Sequence, residues 1–194
     1  MDATKDPYVL PSDLPVPEND GACAHLVGVR MPSVVLRSTR GKLLNVAEAS
    51  QHRGVFFFYP HTGRPGDPIT RDWDLIPGAR GCTPQNCGFR DHYQEFRALA
   101  YDVFGVSGQG ADEEQGLKEQ IEFAERVQLP YELLNDSKFQ LTDSLRLPTF
   151  NYHEKRFIKR LALVVESGRI HRVFYPVFPP DRCAAEVLSY LRDR

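Results

Sequence analysis

Two cysteines stand five positions apart in "GCTPQNCGFRD", residues 81–91, at the foot of an amphipathic pattern. Thr83 suits a helix N-cap and Pro84 the first helical position, and Phe89, Tyr93, Phe96 and Ala100 follow at helical spacing. On a helical wheel Cys87 lies about 160° from Phe89, away from the apolar stripe, and Cys82 about 20° from it, on the core side. The two thiols therefore point apart. Five helical steps rise about 7.5 Å, whereas a disulfide spans Cα atoms at most about 6.8 Å apart. Bridging the pair requires the first turn to unwind, and Pro84 and Gly88 make that turn a plausible one to melt. A thiol at a helix N-terminus sees unpaired N–H groups and the positive end of the dipole, which favour a thiolate at Cys82. Such a thiolate attacks an electrophile and becomes a sulfenic acid, with which Cys87 can condense. This geometry describes a redox pair without naming the electrophile, and the plain alternative is two unrelated core thiols. Arg80, two residues before Cys82, reads as a solvated loop charge.

The remaining cysteines, Cys23 and Cys183, are remote in sequence. With no C-x-x-C and no histidine at ligand spacing, a structural zinc site is not expected. His92 and His171 read as surface or edge residues, because attack by a preformed thiolate needs no separate base.

The elements that must position the pair alternate along the chain. "SVVLRSTRGKLLNV" predicts a strand pair about a Thr-Arg-Gly turn, and "GVFFFYP" a buried strand ended by Pro60. Residues 60–81 are rich in glycine and proline, show neither helix nor strand periodicity, and hold the only tryptophan, Trp73. They read as a long insertion, of the kind that forms a lid or binding loop. "YDVFGVS" and "YELLND" predict strands with a helix, "DEEQGLKEQIEFAERVQL", between them. "RLALVVESGRIHRVFY" predicts a hairpin turning at Ser167-Gly168, and "PPDRCAAEVLSYLRDR" a final helix. The order is that of an α/β protein with the thioredoxin-like fold, a central mixed sheet flanked by helices. Residues 1–26, with Pro7, Pro11, Pro15 and Pro17, read as an extended N-terminal arm, and 27–194 as the domain.

Bulk properties remove whole classes of function. The 194 residues are 41% hydrophobic and carry a net charge of −2, so neither a nucleic acid nor an anionic membrane is an expected partner. The apolar runs are too short to span a bilayer, and the first residues lack the pattern of a signal peptide. A cytoplasmic setting with reduced thiols is expected.

The segments "FFFYP", "GCTPQNCGFRD", "YDVFGVS", "LPYELLND" and "KRLALVVESGRI" resemble, in this order, those of the peroxiredoxins. The subgroup it is most similar to is peroxiredoxin Q, or bacterioferritin comigratory protein, with the hallmark C-T-x-Q-x-C-x-x-R-D; the resemblance covers roughly residues 27–192. It implies that Cys82 is the peroxidatic and Cys87 the intrachain resolving cysteine, and that Arg160 is the family's active-site arginine. It implies reduction of hydrogen peroxide or organic hydroperoxides, recycling by thioredoxin or a similar dithiol, no cofactor and no metal, in a monomer or weak homodimer. Gly81, Thr83 and Trp73 are the expected substrate-binding residues. Two departures stand out. The family places Thr or Ser three residues before the peroxidatic cysteine and Pro seven before it; here these are Ala79 and Leu75. Thr83, Thr62 and Thr70 are the candidate replacements for the hydroxyl. The absent hydroxyl also motivates the alternative of a thioredoxin-like redox sensor or partner-binding protein without efficient turnover.

Overall fold

The computed structural model describes residues 6–66 and 70–194. In chain order the elements are β1 (Val35–Ser38), β2 (Leu43–Asn45), α1 (Val46–Ala49), β3 (Arg53–Phe58), α2 (Arg71–Asp74), α3 (Cys82–Asp91), α4 (Tyr93–Ala98) and β4 (Tyr101–Ser107). There follow α5 (Glu113–Arg126), β5 (Glu132–Asn135), α6 (Gln140–Ser144), β6 (Thr149–Tyr152), β7 (Lys155–Ile158), β8 (Leu161–Glu166), β9 (Arg169–Phe174) and α7 (Cys183–Arg192).

The main sheet runs β2-β1-β5-β4-β3-β8-β9. Strands β3, β4 and β5 are parallel, and the flanking β1 and β8 pair with them antiparallel. The mixed sheet flanked by helices is the thioredoxin-like arrangement predicted above. Because both faces are covered, β3 is apolar at successive positions rather than alternate ones. Val55, Phe57 and Tyr59 pack toward α3, α4, α5 and α7, while Phe56 and Phe58 join Leu26, Val46, Leu141 and Leu145 on the other face.

The first face seats the site. Phe89 of α3 stacks on Phe57 with ring centroids 4.1 Å apart, and Phe96 of α4 lies 5.5 Å from Phe89. These contacts pin α3 on the strand beneath it. The apolar stripe expected along one helix belongs to two: His92, with φ −96° and ψ 6°, interrupts it, and its imidazole bonds Glu95 at 2.6 Å.

Three other expectations are corrected. The helix starts at Cys82, and its N-cap is Gly81 rather than Thr83. Gly81 takes φ +102°, a left-handed conformation that suits glycine, and its carbonyl accepts the first helical bond from Gln85 N–H at 3.1 Å. Thr83 is thereby drawn into the first turn. The insertion is not devoid of structure: α2 is a single turn capped by Thr70, whose Oγ1 accepts from Trp73 N–H at 3.4 Å. A separate hairpin, β6 with β7, was not anticipated; it turns at His153 and Glu154, both with positive φ.

The N-terminal residues run over the body in turns. Cys23, Leu26 and Met31 are buried in the second core face. Gly28 N–H donates to Ile170 O at 2.7 Å, and Lys159 pairs with Asp20 at 2.9 Å.

Candidate active site

The sequence from Ala79 to Cys82 falls between a constrained loop and a helix start, and this local shape aims the Cys82 sulfur. Cys82 is 4% exposed, at the floor of a cavity of about 350 Å³. Arg160, at the entry to β8, is 3% exposed and brings Nη2 to 3.3 Å from Sγ. The backbone N–H of His61 approaches the same sulfur at 3.4 Å. Two donors thus converge on Sγ, one of them cationic, an arrangement that holds negative charge on sulfur. The thiol is within 3.7 Å of the Ala79 carbonyl, its acceptor when protonated.

Arg160 is itself fixed. Nη2 also donates to the carbonyls of Ala79 at 3.2 Å and Arg80 at 3.1 Å, and Nη1 donates to Gln85 Oε1. Gln85, fully buried in α3, passes its Nε2 on to Cys183 Sγ at 3.6 Å. Arg160 stands behind the sulfur and is not among the residues that line the cavity.

The cavity wall is aromatic. Trp73 packs edge-on against Tyr152 and Phe157, with centroids at 5.3 and 5.1 Å, and lies 5.8 Å from Phe150. A 2.6 Å hydrogen bond between Thr70 Oγ1 and the Tyr152 hydroxyl ties α2 to the β6–β7 hairpin. Gly81, Thr83 and Trp73 all line this space. Tyr152, Phe157 and the His61 N–H were missed.

With this geometry in view, relatedness is informative. The model of the AhpC/TSA family matches residues 75–172, just over half of the chain. The chain belongs to the AhpC/TSA family. A chloroplastic peroxiredoxin Q of Gentiana triflora is 25% identical over 187 residues, 94% of this chain and 76% of that protein. The Arabidopsis thaliana peroxiredoxin Q is 25% identical over 167 residues, 85% of this chain and 66% of its own length. The crystal structure of the peroxidoxin BcpB of Mycobacterium tuberculosis superposes with a TM-score of 0.68 at 23% identity, covering 87% of this chain and 98% of that one. The chain is a thiol-dependent peroxidase of the peroxiredoxin type, and these likenesses do not favour the sensor alternative.

In this peroxiredoxin Cys87 is half-buried on α3, packed beside the core, and no disulfide is present among the four thiols. Burial raises its pKa, opposed by the nearby Arg90 and aided by Asp91. Cys23 and Cys183 are both buried, and burial pushes each thiol up to about 12. Neither lines the cavity. Arg80 corrects the reading of a solvated charge: it is 6% exposed and pairs with Asp74 at 3.3 Å. Its side chain reaches back to the arm, which a view of the loop alone could not reveal. The three threonines also separate. Thr62 donates its hydroxyl to Gln109 at 3.0 Å and lies outside this cavity, and Thr70 is engaged with Tyr152.

Proposed function

We propose that Cys82 is the peroxidatic cysteine, Cys87 the resolving cysteine and Arg160 the residue that holds the sulfur as a thiolate. The observation carrying this reading is the convergence of Arg160 Nη2 at 3.3 Å and the His61 N–H at 3.4 Å on a sulfur that floors a cavity. The thiolate attacks the terminal oxygen of a hydroperoxide and the O–O bond breaks. The leaving oxygen takes a proton and departs as water or alcohol, and Cys82 becomes a sulfenic acid. Cys87 then attacks that sulfur, forming the disulfide and releasing water. A thioredoxin-like dithiol restores both thiols by exchange. Both cysteines lie on α3, so the cycle asks for no second chain, consistent with a monomer or weak dimer. A reducing, cytoplasmic setting belongs to the same reading.

The finer substrate preference is for organic hydroperoxides with an apolar body. A cavity of about 350 Å³ walled by Trp73, Tyr152 and Phe157 exceeds what hydrogen peroxide fills, and an apolar substituent would displace water from it. Thr83 takes the part of the hydroxyl absent at position 79. It lines the cavity, and no hydrogen bond to its hydroxyl is found among the described residues.

Steady-state peroxidase assays with a dithiol reductant test the assignment. Cys82→Ser is expected to abolish turnover, whereas Cys87→Ser keeps a single oxidation and loses recycling through the disulfide. Full turnover in Cys82→Ser would refute it.

A further inference from the structure

The cycle proposed above needs a movement. Five helical steps separate Cys82 from Cys87, about 7.5 Å of rise, and a disulfide spans Cα atoms at most about 6.8 Å apart. Whatever fixes the loop before Cys82 therefore opposes the second chemical step. Besides Arg160, which holds the loop from within, Arg80 ties it to the arm. Its Nη2 donates to the carbonyls of Asp6 at 2.6 Å and Val9 at 3.3 Å, and its Nη1 pairs with Asp74 at 3.3 Å. A cation this buried is uncommon unless paired, and these partners come from the arm and from α2. One residue further on, a β-carbon at Gly81 would run into Pro180 and lie 2.8 Å from Leu10 Cδ2. The arm is thus packed on the residue next to Cys82.

Residues 6–10 are nonetheless lightly held. Pro7 is buried at the cavity, and the Tyr8 hydroxyl accepts from Arg126 Nη1 at 2.8 Å. Tyr8 and Val9 are 43% and 41% exposed, however, so hydrogen bonds together with Pro7 and Leu10 supply the grip on this segment. Segments of this kind open at low free-energy cost.

We propose that Arg80 is a positioning residue that straps residues 6–10 over the loop preceding Cys82, and that release of this strap sets how fast oxidised Cys82 reaches Cys87. The proposal rests on the roles assigned to the two cysteines. After the first step the Cys82 sulfenic acid has two fates. With the strap released, the Cys87 sulfur forms the S–S bond and the sulfenic oxygen leaves as water. With the strap in place, a second hydroperoxide transfers its oxygen to the same sulfur, giving a sulfinic acid and an alcohol, and Cys82 leaves the cycle.

The test uses the full chain as wild type, Arg80→Gln, Leu10→Ala and the double variant. Each is mixed with increasing cumene hydroperoxide, quenched in acid at timed intervals and digested. Mass spectrometry then reads disulfide and sulfinic acid at Cys82. Arg80→Gln is expected to speed disulfide formation on the order of tenfold, the scale of one lost hydrogen bond to a charged group, and to lower the sulfinic fraction. Leu10→Ala shifts both in the same direction. The double variant goes little beyond Arg80→Gln, because both changes release one strap. A purely structural arginine would lower stability and leave the partition unchanged. An unchanged or slower disulfide step in Leu10→Ala, whether or not Arg80→Gln folds, overturns the proposal. A wild-type protein that oxidises without forming the Cys82–Cys87 bond overturns the cysteine assignment, and the strap with it.

Discussion

Arg160 meets the Cys82 sulfur with Nη2, which also donates to the carbonyls of Ala79 and Arg80, and gives Nη1 to Gln85. Its removal should therefore cost both the charge beside Sγ and the geometry of the loop. Arg160→Ala is expected to slow Cys82 oxidation on the order of 10²–10³-fold, the scale of losing a preorganised donor to a developing charge. Arg160→Lys should recover little, because an ammonium cannot reproduce the planar fork that serves Gln85, the two carbonyls and the sulfur together. Single-turnover rates with hydrogen peroxide check both. At this scale the cysteine pair was legible, since residue type, spacing and helical periodicity all reside in one short segment. The His61 N–H was not: a backbone donor carries no residue-type signal, and the loop that aims it is distant in sequence. Gln85 stood within the motif, but its role as the strut under Arg160 depends on a partner just before β8. Arg80 was misread for the same reason, its partners Asp6 and Val9 lying some seventy positions away.

At the scale of elements, the cavity over Cys82 is built where α2 meets the β6–β7 hairpin. Trp73 joins them through Tyr152 and Phe157. Trp73→Ala should lower the rate with cumene hydroperoxide about tenfold, matching the partial loss of an apolar contact, and affect hydrogen peroxide far less. Equal losses with both peroxides would mean that the indole supports the fold of the insertion rather than the substrate. The strands of the main sheet were readable because both faces are covered, leaving apolar runs such as "VFFFY" unbroken. The β6–β7 hairpin was not readable. Its sequence "TFNYHEKRFI" carries charges through the turn and along β7, and its alternation is too short to stand out without the tryptophan it packs against. Thr83 failed as a cap because Gly81, in a left-handed conformation, had already opened the helix two residues earlier.

At the scale of the whole molecule, the sheet order followed from the succession of strands and helices. The course of the N-terminal residues across it did not, since turns without periodicity leave no pattern to read. Cys23 and Cys183 show how burial couples to stability. Their folded-state thiols are raised to about 12, above the ordinary cysteine value, so the folded chain keeps protons that the unfolded chain loses. The stability they contribute is full below about pH 8.5 and declines as pH rises toward 12, by at most about 1.4 kcal/mol per pH unit for each thiol. Denaturant unfolding of the reduced protein between pH 8 and 10 should therefore show a shallower decline in Cys183→Ala than in wild type. The slope is the quantity compared, because the substitution also removes packing atoms and shifts the level. Parallel slopes would mean that Cys183 does not remain protonated in the fold.

The central claim is that Cys82 receives the peroxide oxygen and hands the oxidation to Cys87 within one chain. Peptide mapping after exposure of the reduced protein to one equivalent of hydroperoxide, without any reductant, tests it most directly. A Cys82–Cys87 disulfide is expected in wild type, and a single added oxygen on Cys82 in Cys87→Ser. An unoxidised Cys82, or a bond from Cys82 to Cys23 or Cys183, would contradict it.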